Sequence, residues 1–100
     1  MKLLVCTTCS TDGGFVGVMR RALPELEVTG VDGMSGGAQA QTVAFRAPGK
    51  VAYLFGHITA ADTPDLRNFA QLYAATEDGT FKDARVLGNL RTKAIARIPG

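Results

Sequence analysis

The apolar and polar positions of the chain divide it into short elements of two different periods. Met1–Cys6 is rich in Leu and Val and alternates weakly, which predicts a buried strand, with Thr7–Gly14 as the loop that follows. From Phe15 to Leu23 the apolar residues Phe15, Met19 and Leu23 recur every four positions, Val16 and Ala22 widen the stripe, and Pro24 follows. That spacing predicts a helix of about two turns. Three further strands are expected over Leu26–Val31, Thr42–Arg46 and Val51–Phe55, where apolar and polar residues alternate. Ala47-Pro48-Gly49-Lys50 lies between the last two, and Pro followed by Gly suits a tight turn, so these strands should form a hairpin.

A second helix has clear start signals: Asp62 or Thr63 can cap it, Pro64 suits its first turn, and Asp65 complements the positive end of its dipole. Leu66, Phe69, Ala70 and Tyr73 mark its buried stripe, and Glu77-Asp78-Gly79 ends it. Val86, Leu87 and Leu90 predict a shorter third helix, after which Ile95 to Ile98 runs extended. The expected order is strand, helix, three strands, helix, helix. A strand-helix-strand unit followed by a hairpin and a packing helix gives an α/β (α+β) domain of two or three layers, a mixed four-stranded sheet with flanking helices. The thioredoxin-like architecture satisfies this order and puts the loop after the first strand at an exposed edge. Residues 1–100 read as one domain without repeats or linkers.

Composition narrows the function classes. Hydrophobic residues make up 46% of the chain and charged residues 20%, with no long apolar run and no basic leader before a cleavage site. These features fit a soluble, cytoplasmic domain and give no reason to expect a membrane partner. A net charge of +2 is too small to imply nucleic acid, and Arg85, Arg91, Lys93 and Arg97 after Asp83 read as a solvated helix face.

The main candidate chemistry lies in Cys6 and Cys9, the only two cysteines, spaced Cys-x-x-Cys after the first strand. Such a turn can hold both sulfurs on one side, where they clasp a soft metal or cycle between dithiol and disulfide. Four-thiolate zinc and iron-sulfur centres need two more ligands. The loop from Ser10 to Gly14 separates the pair from the first helix, unlike a thioredoxin motif, where the first cysteine stands at a helix start. Asp32–Gln41 is a glycine-rich loop without a phosphate-loop or dinucleotide fingerprint. Its Met34 could add a soft thioether ligand for copper(I). His57, after Phe55-Gly56, has no carboxylate at helical spacing to orient it and reads as a solvated loop residue. Ser10 and Ser35 lack a nucleophile-elbow context, and the acids sit at caps and turns, so a non-catalytic role is expected.

With these residues placed, the chain resembles a bacterial family of small uncharacterised proteins described as predicted metal-binding, itself similar to the thioredoxin-like 2Fe-2S ferredoxins. The resemblance is carried by Val5-Cys6-Thr7-Thr8-Cys9, Thr42-Val43-Ala44, Ala47-Pro48-Gly49-Lys50, Tyr53-Leu54-Phe55-Gly56, Leu72-Tyr73-Ala74-Ala75, Asp78-Gly79-Thr80 and Ala96-Arg97-Ile98-Pro99. It implies a thioredoxin-like ferredoxin fold and a cysteine-ligated metal or cluster, with Cys6 and Cys9 as ligands. Where family members carry further cysteines, this sequence has Gly33, Gly37 and Gln41. Three expectations follow from that departure. Two copies could pair so that Cys6 and Cys9 of each complete a zinc or iron-sulfur site across a homodimer. The pair could instead act within one chain, as a copper(I) site with Met34 or as a dithiol serving a redox protein partner. Alternatively, the vacated glycine loop could open a pocket in a cluster-less binding or regulatory module.

Overall fold

The chain is described by a computed structural model covering residues 1–7, 14–31, 41–81 and 84–98. β1 (Lys2–Cys6) is followed by α1 (Phe15–Ala22), β2 (Glu27–Val31), β3 (Val43–Arg46) and β4 (Ala52–Phe55). A 3₁₀ turn at Ala60–Asp62 leads into α2 (Thr63–Ala75), and a 3₁₀ segment at Ala84–Thr92 leads into β5 (Ala94–Ile98). The strands form one mixed sheet in the order β2-β1-β3-β4-β5. Only β1 and β2, joined through α1, run parallel; β1/β3, β3/β4 and β4/β5 are antiparallel. The α+β class is as expected, but the sheet has five strands rather than four. The Ala94–Ile98 stretch, expected only to run extended, pairs along β4, with Ala96 opposite Leu54 and Ile98 opposite Ala52.

The period-two pattern decides which face of the sheet is covered. Leu3, Val5, Val28, Val43, Phe45, Tyr53 and Phe55 all point to one side and are buried there. α1 adds Val16 and Met19 to this core, and α2 adds Leu66, Phe69, Ala70 and Tyr73. Phe69 lies at the centre of the aromatic part, with its ring centroid 4.6 Å from Phe45 and 5.3 Å from Phe55. Alternation leaves Lys2, Leu4, Ala44, Arg46, Ala52, Leu54, Ala96 and Ile98 on the opposite face.

Two helix expectations change. The segment read as a third α-helix is a 3₁₀ stretch, Ala84–Thr92, broken at Gly88, whose φ of 59° is left-handed. A Cβ at Gly88 would lie 3.2 Å from Asp65 Oδ1, so the break lets this stretch approach the first turn of α2. Asp62 precedes α2 but makes no side-chain cap bond; its carboxylate turns back to Thr59 and Lys93 instead. At the far end, Lys50 Nζ donates to the Tyr73 and Ala74 carbonyls at 2.9 and 3.2 Å, satisfying the last turn and complementing the dipole. Among the described residues, no helix is long and apolar enough to cross a membrane.

Candidate thiol site

The direction of each strand places the candidate residues. β1, β2 and β4 end, and β3 and β5 begin, on the same edge of the sheet, so Cys6, Val31, Gln41, His57 and Lys93 all fall there. β1 lies between β2, which the chain reaches from it through α1, and β3, which the chain enters after β2. In open α/β sheets ligands tend to sit outside the carboxyl ends of the parallel strands, here those of β1 and β2.

Cys6 is the last residue of β1, is 1% exposed and is disulfide-bonded. Its backbone is held firmly: Cys6 N–H donates to Thr42 O at 3.1 Å and Thr7 N–H to Val31 O at 2.9 Å. The Gln41 amide completes the frame. Its Nε2 donates to the Cys6 carbonyl at 2.8 Å and to the Thr42 carbonyl at 3.1 Å. The Gln41 carbonyl in turn accepts from Ile58 N–H at 3.0 Å, tying the loop after β4 to the end of β1. Gln41 is buried, and its Oε1 is a buried acceptor without a hydrogen-bond partner. Carboxamide bond lengths put that oxygen within about 5 Å of the Cys6 carbonyl oxygen.

The structure therefore brings Cys6 and Gln41 together. Cys9, Gly33, Met34 and Gly37 lie outside the described residues. His57 is exposed, as expected, and adopts a left-handed φ of 54°. Its carbonyl accepts from Lys93 Nζ at 3.0 Å. Among the described residues, no three His, Cys, Asp or Glu side chains gather where a metal ion could be held.

Sequence reasoning missed the neighbouring ion pair. Lys93 Nζ lies 2.6 Å from Asp62 Oδ2, which also accepts from Thr59 N–H at 2.8 Å. In the sequence Asp62 reads as a cap and Lys93 as part of a solvated face, and only the return of the chain as β5 brings them together. Burial pushes the Asp62 carboxyl up in pKa, but the Lys93 ammonium and the Thr59 backbone outweigh it and hold the group below the usual carboxylate range. A carboxyl depressed in the folded state stabilises fully above its unfolded pKa, about 3.9, and loses that contribution as pH falls through its folded value. The stability difference between wild type and Asp62→Asn should therefore be constant near neutrality and shrink below about pH 4. Urea unfolding across that range measures it, and a constant difference down to the acid limit would contradict the pairing.

Comparison with known proteins finds one family. The model of a family described as "Protein of unknown function (DUF1636)" matches residues 18–100. The matched span takes in β2 to β5, α2 and Gln41 but begins after Cys6 and Cys9. No curated protein and no solved structure matches the chain.

Proposed function

We propose, from the premise that this chain belongs to the DUF1636 family of proteins of unknown function, that it is a small non-catalytic redox or metal-binding protein whose working group is the Cys6/Cys9 pair. The observation that carries this reading is the state of Cys6: buried, disulfide-bonded and fixed at the carboxyl end of β1. That state is the oxidised form of the dithiol-disulfide reading. In the step proposed, a dithiol donor gives two electrons and two protons to the disulfide, which becomes two thiols while the donor becomes a disulfide. Gln41 supports the same reading, since its side chain holds the Cys6 carbonyl and carries a buried acceptor, Oε1, without a hydrogen-bond partner.

The residues described do not by themselves hold zinc or an iron-sulfur cluster. A four-thiolate centre would draw both cysteines from each of two copies, one centre per homodimer. The resemblance to the thioredoxin-like ferredoxins makes that the metal form of the same proposal.

Anaerobic purification followed by redox titration against a dithiol tests the reading, with metal analysis, native mass and the Cys6→Ser and Cys9→Ser variants alongside. The expected result is one reversible two-electron couple, absent from both variants. A colourless, metal-free wild type that shows no reversible couple and behaves like the variants sinks the proposal.

A further inference from the structure

The open face of the sheet departs from the pattern of a face turned to water. Its outward positions are expected to be polar, as in most sheets covered on one side only. Instead, the row across the strands reads Thr29, Leu4, Ala44, Leu54, Ala96, and the next runs from the charged Glu27, Lys2 and Arg46 to the apolar Ala52 and Ile98. Ile98 is 55% exposed. Between the larger side chains, the alanines leave a groove of about 370 Å³, floored by Leu4, Ala44 and Leu54 and walled by Pro48 and Ile98. That volume falls in the range of small-molecule sites.

Arg46 lines this groove and also the adjoining one, where Lys2 and Glu27 stand. Lys2 already has Glu27 at 3.8 Å. Lys50 is engaged with the end of α2. Arg46 has no hydrogen-bond or ion-pair partner among the described residues. The groove thus combines an apolar floor with one uncommitted guanidinium, a group whose planar fork matches a carboxylate.

The occupant that complements this lining carries a carboxylate on an aliphatic body. We infer that the open face is a binding site for a small carboxylate with an aliphatic body, the chain lying over Leu4, Ala44 and Leu54 and the carboxylate against Arg46. This inference stands apart from the thiol reading, because Cys6 does not line the groove.

Titration with sodium decanoate, followed by calorimetry and by amide chemical shifts, tests it, with decanol as the uncharged comparison. Saturable one-to-one binding is expected, with shifts centred on Leu4, Ala44, Leu54 and Ile98. Decanol and the Arg46→Gln variant should each weaken it about tenfold, the size of one charge-assisted pair. Ala44→Trp, which fills the floor, should abolish it; Leu54→Asp serves the same purpose if the tryptophan variant does not fold. Absence of saturable binding overturns the inference. So does equal affinity for decanol and decanoate, or concentration-dependent self-association that Ile98→Asp abolishes, since the face would then seat a second copy.

Discussion

Replacing Phe69 with alanine should lower the unfolding free energy by about 3–5 kcal/mol, the largest loss expected from any one core truncation here. Phe69 is fully buried on the inner stripe of α2, and its ring sits among five others. Centroids of Phe45, Tyr53, Phe55, Tyr73 and Phe81 lie 4.6, 5.2, 5.3, 5.5 and 5.6 Å away. Removing it forfeits apolar transfer energy, the edge-to-face contacts with Tyr53 and Phe55, and the contacts of a lining drawn from β3, β4, α2 itself and a loop, which cannot collapse inward freely. Phe69→Leu keeps most of the volume and should cost under about 1.5 kcal/mol. Urea unfolding with an unchanged m-value is the measurement. If alanine cost no more than leucine, Phe69 would not hold α2 to the sheet.

Gly79→Ala should cost roughly 2–4 kcal/mol, although the residue lies outside every helix and strand. Gly79 has φ +83°, a conformation unfavourable for any residue with a Cβ. An added Cβ would also meet Val51 N at 2.9 Å, Val51 O at 3.0 Å and a Tyr73 ring carbon at 3.0 Å. These neighbours are anchored. Val51 N–H donates to Asp78 O at 2.8 Å, Tyr73 Oη donates to Val51 O at 2.7 Å, and Tyr53 Oη donates to the Gly79 carbonyl. Gly49 provides the control, having φ +75° with nothing within 4 Å of an added Cβ. Gly49→Ala should therefore cost only the conformational part, about 1–2 kcal/mol. Equal losses at the two sites in thermal or urea unfolding would show that the close approach at Gly79 carries no energy.

These two positions show how differently the fold could be read from the sequence. Phe69 was legible, because its stripe with Leu66, Ala70 and Tyr73 follows the helical period. The hairpin turn at Pro48-Gly49 was legible because its chemistry is local. Gly79 could be read as the end of a helix, but its contact with Val51 depends on where the β4 strand passes. The third helix failed for a related reason: Val86, Leu87 and Leu90 have apolar spacing, yet Gly88 turns left-handed against Asp65, a residue far away in sequence. β5 gave little pattern to read because four of its five residues are exposed, so its identity comes from pairing with β4.

The candidate site divides in the same way. Cys-x-x-Cys after an apolar run was visible as chemistry, and the period of the first strand placed Cys6 at its end. That Gln41 donates to the Cys6 carbonyl, and that Lys93 reaches Asp62, could not be read from the sequence, because these contacts span 35 and 31 residues. The sequence by itself determined the periods, the turns and the thiol pair, since each arises from side chains close together along the chain. The tertiary structure alone decided the strand order, the frame around Cys6 and the apolar groove beside Arg46, because each depends on which distant strands come to lie side by side.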